Sequence, residues 1–508
     1  MKLNIFNGGL SKRLDPTLIG TNEAVCLLNV DNTQATLKSC CGMSEVAGVN
    51  ISGYFYNYKD QWLSSTLERS YVEYKNTLYY TEKGQYPRKY DGQREYKLGI
   101  DKPVNPLTVV EVNPSGTEKI SDVPVVLQYV YTYYNATDGI ESAPSPPSIE
   151  LNLAANKVVD VGNIEISTDV QVNKIRIYRI GAGATEFTLF KEIDNVSNAV
   201  RDDLPTINLL GRLLESETNY PAKFDSKHLV EAYGSLFAAV GSKLYFTPPG
   251  FPAYWPEEYF MDFVSDITGL LPVPNGILVF SKDKTDILLG TKAGDFSVGK
   301  VSDEYGCVSH TSCKNCKGIP FWVSLSGICT YSTGVVSVIS REKLDKLSLD
   351  IVNVISLEDQ YFICKSNGKM LCMDLRFEPQ FKEYKFSEAI SNIQKYNDEL
   401  YARVGSKLYK LFAGAAEQFR YISPKLTEGD YSVTKLYNNI YMKSKGEFEV
   451  KILIDDEIVS ERMYQGFKTH DMMPNMEDQR GESIQFDITG IGTIFEIEYK
   501  AMGRQNGR

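Results

Sequence analysis

The hexapeptide Val-Gly-Ser-Lys-Leu-Tyr is written twice in this chain, at 240–245 and again at 404–409. Each copy joins two stretches of alternating character. In the first, Leu236, Ala238 and Val240 share one face, Gly241-Ser242 turn the chain, and Leu244 and Phe246 line the return. In the second, Leu400, Ala402 and Val404 precede Gly405-Ser406, and Leu408 follows. A period of two broken by a glycine that can take positive φ predicts a tight β-hairpin. Three disguised hairpins lie between the copies. They turn near Lys282-Asp283, at Ser326-Gly327 and at Asn367-Gly368. The first turn residues, 241, 282, 326, 367 and 405, are spaced by 41, 44, 41 and 38. A unit of about forty residues matches one four-stranded propeller blade. Such a sheet cannot bury both faces alone, and packing blades around a ring buries them with few free edges. Two further hairpins, at 53–66 and 71–81, read together as one more blade. The sequence therefore predicts an all-β protein built on a β-propeller of about six blades, with seven still open. A run of unrelated β-meanders is the competing reading.

The repeat is interrupted once. From 101 to 221 the pattern changes: the stretches 125–151 and 172–193 hold short alternating strands separated by Asp-Gly, Pro-Pro and Gly-Ala-Gly turns. This predicts an inserted immunoglobulin- or fibronectin-like β-sandwich. After about residue 423 come long alternating stretches at 438–464 and 483–503, read as a small C-terminal β-domain or as strands that close the ring. The boundaries are then an extended N-terminal segment (1–50), a first blade region (51–100), the insert (101–221), the remaining blades (222–422) and the C-terminal part (423–508). Helix is expected to be scarce, its best candidate being 340–348 with Ser340 as N-cap.

Composition narrows the function. The net charge is −11, from 54 basic and 65 acidic residues. That disfavours tight nucleic-acid binding but suits a wall past which DNA slides, because carboxylates do not grip phosphate. The first sixteen residues lack the apolar run of a secretory signal, and no stretch approaches 18 apolar residues, so no membrane span is expected. Nine irregularly spaced cysteines point to free thiols.

Few residues suggest chemistry. Cys307, His310, Cys313 and Cys316 recur every three residues and are of zinc-ligand type. Their spacing departs from the usual two pairs separated by a longer loop, so the competing reading is small residues at a blade edge. Glu257, Glu258, Asp262 and Asp266 run beside Trp255 and Tyr259. A glycosidase needs two such acids, and a solvated loop facing a tunnel needs nothing more. Asp138-Gly139 and Asp455-Asp456 read as hairpin turns. No nucleophile elbow or phosphate loop is visible, and no cofactor is expected.

The segment FNGGLSKRLDPTLIGTNEAVCLLNVDNTQATLKSCCG (6–42) resembles the opening of tail nozzle proteins of short-tailed bacteriophages, the tail tubular protein B and packaged-DNA stabilisation types. The stretches VGSKLYFTPPGFPAYWPEEYF (240–260), GLLPVPNGILVF (269–280), GCVSHTS (306–312) and SGICTYSTG (326–334) are similar to them as well. The resemblance implies a structural, non-enzymatic virion protein, made in the host cytoplasm. Six copies would form a ring beneath the head-to-tail adaptor, retain and conduct double-stranded DNA without sequence specificity, and dock fibres or spikes. Lys12, Arg13, Glu257, Glu258, Asp262 and Asp266 become candidates for the tunnel or an interface. The free chain is expected to stay monomeric until it meets the adaptor. The alternative function is a carbohydrate-binding or carbohydrate-active propeller, favoured by aromatic richness.

Overall fold

The computed structural model describes residues 1–209, 211–347, 349–376, 378–429, 433–474 and 479–503. They divide into two compact units. One holds Met1–Glu68, Thr268–Leu288 and Val298–Arg508, the other Arg69–Ile267 and Leu289–Ser297.

Among the described residues, six four-stranded antiparallel meanders recur along the chain, at 69–97, 227–262, 269–302, 314–338, 351–384 and 392–410. The last takes its fourth strand from elsewhere. All five repeat hairpins fall on the second and third strands of their meanders. The first copy of the hexapeptide joins Ser235–Val240 to Lys243–Phe246, and the second joins Glu399–Val404 to Lys407–Lys410. Gly241 and Gly405 both sit at φ 59°, where a β-carbon would be strained.

The two copies differ in what pairs with the return strand. Lys243–Phe246 takes the strand that follows it, Phe260–Asp262. Lys407–Lys410 takes Ser44–Asn50, from the start of the chain. The N-terminal segment thus completes the last blade, a closure that fixes a propeller by its own backbone hydrogen bonds.

Apolar clusters lie between successive meanders, as blade-on-blade packing requires. Leu278, Phe280, Cys307 and Trp322 join the 269–302 and 314–338 blades. Phe362, Cys372, Ile393 and Leu400 join 351–384 to 392–410. In the other unit Tyr79, Leu229, Leu236 and Trp255 join 69–97 to 227–262. Each large side chain fully buried in this way contributes about 1.5–3 kcal/mol.

Two expectations are corrected. The hairpins at 53–66 and 71–81 do not share one blade. Tyr54–Tyr58 and Gln61–Ser65 form a separate two-stranded sheet, and Arg69–Tyr74 with Thr77–Glu82 begins a complete blade of its own. The first hairpin instead follows the last blade: Asn392 and Gln394 donate side-chain hydrogen bonds to the carbonyls of Gly53 and Phe55, and Trp62 packs on Tyr396 and Tyr401. The helix at 340–348 is only a single turn. The Ser340 hydroxyl, expected to cap it, accepts a hydrogen bond from the Ile328 N–H of the neighbouring strand; Ser348 lies outside the described residues.

The inserted sandwich has a three-stranded sheet (Thr108–Val112, Val158–Gly162, Val200–Asp202) and a five-stranded one whose centre is Val125–Asn135 against Lys174–Gly181. Tyr129, Tyr131, Tyr133, Ile175 and Ile177 fill the space between them.

The C-terminal β-domain is built on the strands Lys435–Ile454, Glu457–Asp471 and Ile484–Gly503. Twenty residues of strand span about 65 Å. Asp455 and Asp456 turn the first pair with φ of 50° and 70°, a two-residue hairpin of the primed type. Midway, Gly446 pairs with both Gly466 and Gly492, and this rung of glycines lets three strands bend together. The N-terminal Lys2–Leu3, Cys26–Leu28 and Leu37–Ser39 pair into the same sheet. Leu3, Phe6, Leu10 and Leu27 are buried in its core.

Candidate functional site

The N-terminal basic pair is engaged with its own chain. Lys12 Nζ lies 2.8 Å from a Glu383 carboxylate oxygen, and Arg13 donates to the Arg341 carbonyl at 2.6 Å. The acidic run is spread over a loop and a strand. Glu257 lies 3.5 Å from Lys223 and Asp262 3.8 Å from Lys243, and Glu258 and Asp266 are exposed. Trp255, which precedes those acids in the sequence, is fully buried and donates its indole N–H to the Pro252 carbonyl.

The Cys/His series does not converge. Cys307 and Cys313 approach to 3.5 Å between sulfurs inside the core, where burial holds the Cys313 thiol well above its usual range. His310 turns its Nδ1 to the Leu270 N–H. The Cys316 thiol points away, to the Glu358 carbonyl, and packs in a different cluster. No group of three His, Cys, Asp or Glu able to hold a metal occurs among the described residues. All nine cysteines are free thiols. No helix among the described residues is long and apolar enough to cross a membrane.

What sequence reading missed is a cavity of about 410 Å3 in the second unit. Three segments build it. The 69–97 blade supplies Lys75, Thr77, Tyr79, Lys89, Asp91 and Tyr96; the sandwich supplies its Asp138-Gly139 turn; the loop after the first hexapeptide supplies 250–254. Ion pairing holds the first two together: the nearly buried Lys89 lies 2.5 Å from Asp138 and 5.3 Å from the centre of the Tyr96 ring. Lys75 donates to the Gly250 carbonyl at 2.8 Å and so fixes the third. The Tyr254 hydroxyl donates to the Gly139 carbonyl at 3.4 Å, and burial pushes its phenol above the ordinary range. Phe251 stacks on Tyr254 with centroids 5.7 Å apart and planes 13° from parallel, and remains 56% exposed. Asp91 lies below the usual carboxylate range: burial opposes its ionisation, and the N–H groups of Arg94 and Gln93 outweigh burial. This constellation offers stacking, hydrogen bonding and balanced charge. The aromatic turn sequence Pro-Gly-Phe-Pro-Ala-Tyr-Trp was the signal that could have located it.

Fold and site define an all-β propeller that carries a sandwich insert. No protein-family model and no curated protein matches the chain. Solved structures similar to it include the computationally designed Ika8 protein, 12% identical, covering 74% of this chain and 99% of that one at a TM-score of 0.31. Hsv2p of Kluyveromyces lactis is 9% identical, covering 52% and 70%, at 0.26. BamB of Moraxella catarrhalis is 11% identical, covering 60% and 97%, at 0.24. Likenesses at these scores decide nothing about function, and the fold class rests on the repeated meanders and their closing strand.

Proposed function

We propose that the chain is a structural, non-catalytic subunit of the tail nozzle of a short-tailed bacteriophage. In this reading six copies surround a tunnel beneath the head-to-tail adaptor, where they retain and pass DNA and offer docking surfaces to fibres or spikes. The observation that carries the reading is the fate of the residues that resemble such proteins. The 6–42 segment is woven into the C-terminal sheet, and the strand that follows it closes the last blade. The likeness therefore lies in the part of the chain that locks the architecture, not in an exposed tail. Interlocked blades give a stiff part, as confinement of pressurised DNA demands, and one heterologous interface suffices to close a ring. An excess of carboxylates lets phosphate slide.

Immunogold labelling of purified virions with antibody to this chain tests the proposal. Label confined to the tail below the head supports it; particles that lack the chain refute it. Negative-stain images of the free protein test the assembly step. Single subunits without the adaptor are expected, and closed rings of free protein would contradict a templated assembly.

A further inference from the structure

We propose that the cavity between the 69–97 blade, the Asp138-Gly139 turn and the 250–254 loop is a binding site for a short neutral saccharide. Its volume, about 410 Å3, falls within the range of about 300–1,000 Å3 found for small-molecule sites. Phe251 is the first argument. A large aromatic ring left more than half exposed inside a concavity, with one face laid on Tyr254, presents its other face to a ligand. That face carries the negative end of the ring quadrupole, which attracts the weakly positive axial C–H groups of a pyranose.

Charge is the second argument. The lining holds two lysines and two aspartates, so its formal charge sums to zero. Lys89 is already paired with Asp138, and Lys75 is already given to the Gly250 carbonyl. With Lys89 and Asp138 cancelling each other, a phosphate-bearing ligand would meet the Lys75 ammonium and the Asp91 carboxylate together, and so would gain no net attraction for its charge. A quaternary ammonium would meet the same opposed pair, and the Tyr96 ring already has the Lys89 ammonium beside it. A lipid chain would displace water from the Thr77 hydroxyl, the Asp91 carboxylate and the Lys75 ammonium and return no hydrogen bond for it. A neutral polyol satisfies hydroxyl, carboxylate and ammonium groups together and lays its apolar face on the ring. Asp91 is held in place by the two N–H groups of its own turn, so its carboxylate meets a ligand without further ordering.

Saturation-transfer NMR and calorimetry on the full chain test this, with maltose, cellobiose, lactose and chitobiose as probes and adenosine monophosphate and choline as representatives of the other classes. At least one disaccharide is expected to bind in the millimolar range or tighter. Phe251→Ala should weaken that binding by about fivefold, as loss of an aromatic stack predicts. Asp91→Asn keeps the turn and should weaken it by a similar factor. Unchanged melting in both variants separates loss of the site from loss of the fold. The inference is overturned if no disaccharide saturates below about 10 mM, if both variants bind like the parent, or if either of the other probes binds more tightly.

Discussion

Arg179 and Asp202 form an ion pair inside the sandwich in which both side chains are 0% exposed, with Nη1 and Oδ2 2.6 Å apart. The Tyr129 hydroxyl donates to the same carboxylate oxygen at 2.7 Å, and Arg179 reaches the Leu204 carbonyl at 3.0 Å. The Nε of Arg179 is buried without a hydrogen-bond partner among the described residues, so the pair's satisfaction is incomplete. Two outcomes follow from this geometry. Asp202→Asn leaves a guanidinium uncompensated in the core and should cost about 3–5 kcal/mol. The triple change Tyr129→Phe, Arg179→Met, Asp202→Leu removes the buried charges and the hydroxyl together, leaving only the part-buried Leu204 backbone and the Thr206 hydroxyl, which keeps its bond to the Ala182 carbonyl, and should come within about 1 kcal/mol of the parent or exceed it. Hydrogen exchange followed by mass spectrometry on peptides from 125–202 reads the insert alone, which matters because a chain of two units need not unfold in one step. The single variant should exchange roughly 10²–10⁴-fold faster, a factor of ten for each 1.4 kcal/mol. A single variant within tenfold of the parent, or a triple variant as fast as the single one, would refute the reasoning.

Three other predictions concern separate parts of the molecule. A β-carbon on Gly446 would lie 2.2 Å from the Ile491 carbonyl oxygen, whereas one on Gly466 in the same rung meets nothing within 4 Å. Gly446→Ala should therefore destabilise the C-terminal sheet by about 3 kcal/mol or more and Gly466→Ala by about 1–2 kcal/mol; chemical denaturation monitored by exchange in 435–503 distinguishes them, and equal costs would contradict the rung. His228 sits at a bulge with φ 57°, and burial, aided by the neighbouring Lys227 charge, lowers its pKa to about 4. Because the unfolded imidazole titrates near 6.5, the folded state binds fewer protons between these values and loses stability as pH falls through that window, by about 1 kcal/mol between pH 7.5 and 5.7. Melting curves of the parent and of His228→Asn, which tolerates the same backbone, should converge at the lower pH and separate above it. Cys41 is exposed while seven other thiols are buried and Cys26 is partly so; burial pushes Cys40, Cys364 and Cys372 up to about 12. Ellman's reagent should show one rapid thiol per folded chain, absent in Cys41→Ser.

The repeat was legible because its turns announce themselves: a glycine with positive φ between alternating apolar residues marks the inner hairpin of each blade. The outer strands were not, being as short as Lys314–Cys316 or Phe260–Asp262, too brief for periodicity to register. The N-terminal strands of two or three residues escape for the same reason, and their partners lie hundreds of residues away, as Lys2–Leu3 against Ile484–Gly503 shows. That distance also explains the misassigned first blade, since local hairpin spacing cannot say that 54–65 follows 392–410. The Cys/His series left two readings open because a spacing of three says nothing about side-chain direction once the segment bends through a turn into a strand. The cavity was invisible because Lys75, Asp138 and Phe251 meet only after the insert docks on its own unit's blade. Asp138 was read as a turn residue, and it is one; its carboxylate does a second job that only the packing reveals.

The nozzle proposal is tested most directly by a cryo-EM reconstruction of the tail of short-tailed phage particles produced from a genome that carries the coding sequence of this chain. The account predicts six copies around an axial channel, each with its Ser44–Asn50 strand completing the blade that ends at Lys410. A tail whose ring density admits no meander closed by an N-terminal strand, or one from which this chain is absent, would contradict it.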